Sequence, residues 1–232
     1  MIKAVEEIGV ADLDSAILDN QLVPWRSDAS HPQISEFVQL FHAIDSLNTG
    51  HQPYILQFVG SVPGEGVSTV ASSFVEIAAS QAGNPVLLID CNPSASNTPG
   101  SLSLIDSFLQ TGRINEAIHA APGHLGIGIA RLSTTKDARL NINAASLGNL
   151  FKLARKIFPI VVLDCPPVSL SPESLALARF CNCTVLVIDA ETTSRKAVAE
   201  TKQAIERFDG QIVGVVFNRS KTYLPRWLSG WL

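Results

Sequence analysis

Residues 61–69 read Ser61-Val-Pro-Gly-Glu-Gly-Val-Ser-Thr69. A strand-like run, Tyr54-Ile-Leu-Gln-Phe-Val-Gly60, precedes them, and a helix-like run, Ala71-Ser-Ser-Phe-Val-Glu-Ile-Ala-Ala79, follows. A glycine-rich turn in that position aims consecutive backbone N–H groups, and the positive end of a helix, at a phosphate. Gly64 and Gly66 let the backbone turn and approach closely, and Ser68 or Thr69 offers a hydroxyl to Mg²⁺. One part of the device is missing. Where such a loop needs Lys, between Gly66 and Ser68, stands Val67. The stretch belongs either to an enzyme that uses another cation or to a nucleotide-binding fold that no longer does the chemistry.

The flanking sequence sets the fold class. Strand-like runs occur at 54–60, 85–90, 125–130, 159–164, 183–189 and 211–217. They are rich in Val, Ile and Leu without polar alternation, as strands buried on both faces are. Helical stretches lie between them at 68–82, 102–110, 144–157, 172–180 and 193–208, and Ser171-Pro172 reads as a helix start. This order predicts an α/β fold: a mostly parallel sheet with helices on both faces. Ahead of it, apolar residues at 34, 37, 38, 41, 44 and 47 predict an amphipathic helix stopped by Asn48-Thr-Gly50. Residues 1–30 lack a sustained period and predict a short helix at best, then a linker. The expected organisation is therefore 1–50, an acidic extension with its helix; 51–218, the α/β domain; and 219–232, a tail.

Composition narrows the function. The 232 residues are 46% hydrophobic and 16% charged, enough for a sizeable core. A net charge of −4 gives no general pull toward nucleic acid. Residues 1–50 carry Lys3 and Arg26 against eight carboxylates, a net −6 that leaves +2 for the remainder. This leader reads as a solvated segment or one that docks on a basic partner. No signal peptide and no membrane-spanning run is legible, so a cytoplasmic, reduced protein is expected. Cys91, Cys165, Cys181 and Cys183 show no metal spacing; Cys181 and Cys183 are expected on one strand face as buried thiols. The five histidines form no ligand pattern either.

Two strand ends carry carboxylates: Val86-Leu-Leu-Ile-Asp90 and Ile160-Val-Val-Leu-Asp164. The C-terminal edge of a parallel sheet is where ligands bind. One Asp there suits a Mg²⁺-bound water and the other the orientation of an attacking group, although either alone could merely cap the next turn.

In order and spacing, Ser61–Thr69, Val86–Asp90, Val161-Val-Leu-Asp-Cys-Pro-Pro167 and Val213-Gly-Val-Val-Phe-Asn218 resemble the bacterial tyrosine kinases of polysaccharide synthesis. These are cytoplasmic modules paired with membrane chain-length regulators in capsule and exopolysaccharide export, relatives of the Mrp/MinD/ParA ATPases. The resemblance spans residues 34–218 and implies a three-layer P-loop NTPase-like fold with ATP or ADP and Mg²⁺ as ligands. It implies Gly64, Glu65, Gly66, Val67, Ser68 and Thr69 at the phosphates and Asn218 at the adenine. Asp90 falls where the second Walker-type motif begins and Asp164 in Walker B, with Ser68, Asp90 and Asp164 as the Mg²⁺ set.

The departures from that family are as informative. Its loop Lys is Val67, and the second Lys of the MinD/ParA branch is matched by Val62. Its Asp-x-Asp becomes Asp90-Cys91-Asn92, the Arg that follows becomes Ser94, and the Glu-x-x-Arg-x-x-Arg assembly pattern becomes Glu36-x-x-Gln39-x-x-His42. A tyrosine cluster should fill the tail, but the chain has only two tyrosines, Tyr54 and Tyr223, and just the latter lies there. No Lys or Arg lies between Arg26 and Arg113, so a substitute cation is sought at Lys136, Arg179 or Lys196, or on a partner.

The expected function is a catalytically degenerate module that binds or regulates a membrane chain-length regulator or an export complex. ATP, ADP and Mg²⁺ would be weak ligands, and homo-oligomers and peripheral membrane association are open. The alternatives are an active ATPase or tyrosine kinase using a cation from elsewhere, and a MinD/ParA-like localisation ATPase. Lys152, Arg155 and Lys156 read as a solvated helix face. Trp227 and Trp231 mark the tail as a floppy end, a docking peptide or an interfacial anchor.

Overall fold

The computed structural model describes residues 34–48, 53–92, 102–122, 124, 126–133 and 142–220. The readings of residues 1–30, Ser94, Lys136 and the Trp-containing tail fall outside them. Apolar strands too rich in Val, Ile and Leu to face water are sandwiched between helices, and the sheet forms where they pair. Its strands are β1 Tyr54–Gly60, β2 Val86–Asp90, β3 Ile118–Ala120, β4 Ile127–Arg131, β5 Ile160–Asp164, β6 Cys183–Asp189 and β7 Ile212–Asn218. They lie in the order β3-β4-β2-β5-β1-β6-β7. All neighbouring pairs are parallel except β3 with β4. Short β3 was not legible in the sequence, because three residues centred on His119 leave no apolar run to find.

Helices cover both faces. On one side α1 (Ile34–Leu47) and α2 (Val67–Ala82) pack with Leu56, Phe58 and Val185, and the rings of Phe41, Phe58 and Phe74 interlock. On the other, α3 (Leu104–Thr111), α4 (Ala144–Ile157), α5 (Glu173–Ala178) and α6 (Arg195–Arg207) enclose Ile55, Val59, Val161 and Leu186. β1 is buried at every residue, which is why its sequence shows no polar alternation. Caps set the helix starts: Ser103, Asn143 and Ser194 each accept an N–H in the first turn of α3, α4 and α6.

Three local expectations need correcting. The buried stripe of α1 is Phe37, Leu40, Phe41, Ala43 and Ile44, while Ile34 and Leu47 are exposed, so the packed face is rotated from the expected one. α5 begins one residue later than the Ser-Pro signal indicates, because the Ser171 hydroxyl donates to the Glu173 carboxylate and Pro172 takes the cap position. Cys181 precedes β6 and its thiol donates to Leu177 O, so it shares no strand face with Cys183. Burial raises both thiols, Cys183 to about 12.

Strand order positions the site. The chain leaves β1 through the glycine-rich loop, runs along α2 and returns as β2 two places away, with β5 between them. Register then pairs Asp90 with Asp164, and Asp164 with Phe58. Both acidic strand ends and the loop share the C-terminal edge. On the far side of β1, register pairs Asp189 with Asn218 at the same edge.

Candidate functional site

The loop has the shape its glycines predict. Gly64 and Gly66 take φ values of 89° and 85°, a left-handed conformation that side chains resist. Gly66 is the N-cap of α2 and no side chain caps that helix start, which leaves its amides to a ligand. The loop lines a cleft of about 660 Å³ with residues Val62–Thr69, walled by Asn92, the Cys165-Pro-Pro167 turn, Leu170–Glu173 and Arg219. That volume suits a nucleotide.

Two side chains fix the loop from beneath. Glu65 is only 2% exposed. Its Oε2 accepts from the amides of Ser61 and Val62 at 2.6 and 2.9 Å, and its Oε1 accepts from Thr193 Oγ1 at 2.5 Å. Only the main chain of Glu65 is therefore placed to meet a ligand. Asn218 is also buried: its Nδ2 donates to Glu65 O at 2.9 Å and its Oδ1 accepts from Arg219 N at 3.0 Å. One end of the amide braces the loop and the other holds the Arg219 main chain, and Asn218 is not among the residues lining the cleft.

Val67 opens α2 and is 8% exposed, packed in the apolar cluster of α1 and α2. Its Cγ2 and Glu65 Oε2 stand 3.0 and 2.4 Å from where a Cβ on Gly60 would lie, so the two share the space over that glycine. No cation enters the loop from this position.

The carboxylates differ in their surroundings. Burial, helped by the charge of Asp90, raises Asp164 to about 6, although a hydrogen bond from the Ser68 side chain works the other way. Asp90 Oδ1 accepts from Asn92 N at 2.8 Å, capping its own turn, and Oδ2 lies 3.9 Å from Arg131 Nε. Ser68 and the Asp164 carboxylate are in hydrogen-bond contact and Asp90 lies beside Asp164 on the neighbouring strand, so a Mg²⁺ ion here would draw on that hydroxyl and these carboxylates. No group of three or more His, Cys, Asp or Glu side chains suited to a metal occurs among the described residues.

Of the candidate substitute cations, Arg179 and Lys196 do not converge on the loop. Arg179 lines a separate cleft with Lys152 and Arg155, and Lys196 pairs with Glu200 on the exposed face of α6 at 3.8 Å. The residues that do converge were overlooked in the sequence. Arg219 Nη1 donates to Gly64 O at 2.7 Å and to Asp189 Oδ2 at 3.0 Å. Burial alone would raise Asp189, but hydrogen bonds from the Glu191 amide, Arg219 and Thr192 outweigh it and hold the carboxyl below its ordinary value. The available signal was a third acidic strand end, Val185-Leu-Val-Ile-Asp189, in the same pattern as Asp90 and Asp164.

No protein-family model matches the chain. It is 25% identical to the tyrosine-protein kinase CpsD of Streptococcus agalactiae over 184 residues, 74% of this chain and 77% of that protein. It is likewise 25% identical to the tyrosine-protein kinase YwqD of Bacillus subtilis over 185 residues, 77% of each. Among solved structures, the kinase domain of Escherichia coli tyrosine kinase ETK superposes with a TM-score of 0.69 at 17% identity, covering 86% of this chain and 82% of that one. The chimerical protein CapA2B2 gives 0.74 at 18% identity, with 90% and 99% covered. The cell division ATPase MinD of Pyrococcus furiosus gives 0.59 at 17% identity, with 77% and 78% covered. The fold is that of the P-loop NTPases.

Proposed function

We propose that this chain, a relative of the bacterial tyrosine kinases, is a nucleotide-binding module of capsule or exopolysaccharide assembly that no longer transfers phosphate. In this reading it acts by binding, as the cytoplasmic partner of a membrane chain-length regulator or export complex. The observation that carries the reading is Val67, an apolar side chain buried at the position of the loop lysine. Phosphoryl transfer depends almost wholly on electrostatic stabilisation of the moving group. Two further features support it. Asp90 is engaged by the Asn92 amide and faces Arg131, and Tyr54, one of two tyrosines, is buried on β1 and closed to phosphorylation.

A Mg²⁺-nucleotide would be held by the loop amides, Ser68 and Asp164, and would supply the phosphoryl group that a kinase moves. The chain's own part is to grip and to change its partner's surroundings. The expected result in a Mg²⁺–ATP assay is no turnover and no autophosphorylation above background. Steady turnover that Asp164→Asn abolishes would overturn the reading. Membrane attachment in this proposal comes through the partner; among the described residues no helix is long and apolar enough to cross a membrane. Co-purification with the cytoplasmic segments of a chain-length regulator tests that part.

A further inference from the structure

We propose that Arg219 is the cation a phosphate group meets on this loop, in place of the ammonium that Val67 cannot supply. The proposal rests on reading residues 61–69 as a phosphate cradle, and it is independent of whether transfer follows. Arg219 lines the same cleft as Val62–Thr69 and is the one Lys or Arg among the described residues that does so. Its side chain is 56% exposed although Nη1 is anchored twice, to Gly64 O and to Asp189 Oδ2. Those two bonds use a single nitrogen. Nε and the second terminal nitrogen carry three more N–H groups, and none has a hydrogen bond among the described residues. A planar fork with free donors is suited to bidentate contact with phosphate oxygens.

The guanidinium is also held in position before any ligand arrives. Arg219 takes φ 56°, and its amide is bonded to Asn218 Oδ1, whose Nδ2 holds the loop at Glu65 O. The Asn218 carbonyl accepts from Ala190 N, just after Asp189. The loop, the end of β6 and the end of β7 thus meet at one joint from which the side chain emerges. Asp189 supplies a counter-charge in the absence of an anion, and an incoming phosphate would share the guanidinium with it. The loop lysine of a phosphate loop projects from the helix start. Here the charge comes instead from the end of β7, and it grips the first limb of the loop.

The test is calorimetric titration of the full chain with ADP, ATP and inorganic tripolyphosphate, each with Mg²⁺, for wild type, Arg219→Ala and Arg219→Lys. All three ligands should bind the wild type. Arg219→Ala should weaken each by about tenfold or more, the scale of one charge-assisted contact. Arg219→Lys should recover part of the loss, because it keeps the charge without the fork. Equal affinity in wild type and Arg219→Ala overturns the proposal. So does a loss that Lys fails to rescue while the thermal midpoint falls, which would make Arg219 a structural prop, and so does a wild type that binds none of the three. Turnover of ATP measured on the same wild-type sample would overturn the non-catalytic reading and leave Arg219 standing. Unchanged affinity in Arg219→Ala would do the reverse.

Discussion

Val67 and Glu65 divide the space over Gly60, one with methyl groups and one with a buried carboxylate, and this decides what a restored lysine can do. In Val67→Lys the ammonium would emerge beside the backbone cradle but also beside Glu65. The expected gain in ATP affinity is at most ~1.5–3 kcal/mol, one charge-assisted contact, less whatever Glu65 competes away. Kinase activity should stay absent, since Asn92, Ser94 and the sparse tail are unrepaired. Paired calorimetry of the two proteins, with an activity assay, checks both parts; strong activity would show that only the lysine had been lost. Asp164 makes a second prediction at this scale. Its pKa is raised to about 6 in the folded chain, chiefly by burial, so the native state holds a proton that the unfolded state has released between about pH 4 and 6. The group's contribution to stability therefore falls as pH rises through that window. Asp164→Asn should stabilise the apo protein at pH 8 by about 1–2 kcal/mol and far less at pH 4, in denaturant titrations at the two values. The same protonation should weaken Mg²⁺ binding below about pH 6.

Between β1 and α2, the two left-handed glycines are not equivalent. A Cβ on Gly64 would meet nothing within 4 Å, whereas one on Gly66 would lie 2.1 Å from Asn218 Nδ2. Gly64→Ala should then cost only the left-handed penalty of roughly 1–2 kcal/mol. Gly66→Ala should cost more, because it also breaks the Asn218–Glu65 brace at a price of about 1 kcal/mol or above. Thermal melts should rank wild type, Gly64→Ala and Gly66→Ala in falling order; equal midpoints would mean that the brace contributes nothing. At the other end of the sheet, β3 is a three-residue edge strand with exposed His119 and Ala120, paired on one side alone. Central β1 and β5 are paired on both sides and buried. Hydrogen exchange should open Ile118–Ala120 first and β1 last.

For the whole molecule, apolar runs and helix caps specified the sequence of elements, because burial on both faces and first-turn hydrogen bonds are local properties that composition records. The mostly parallel α/β class followed from their alternation. So did the loop, since left-handed backbone at Gly64 and Gly66 needs no distant partner. The convergence of Asp90 and Asp164 was legible only as two acidic strand ends; strand order, which places β5 between β1 and β2, makes them neighbours. Other assignments depended on contacts between segments far apart in the chain. Glu65 looked like a loop residue facing a ligand, and tertiary packing turned its carboxylate under the loop toward Thr193, 128 residues away. Asn218 was expected at the base, and its packing against Gly66 with a bond to Glu65 O, a bracing contact, was not legible from the sequence. Arg219 looked like the first residue of a tail. Pairing of β7 with β6 carried it to Asp189 and Gly64, 155 residues back, because the parallel register brings strand ends together whatever their separation in sequence. The residues alone determined a loop without its lysine; the sheet decided which cation stands beside it.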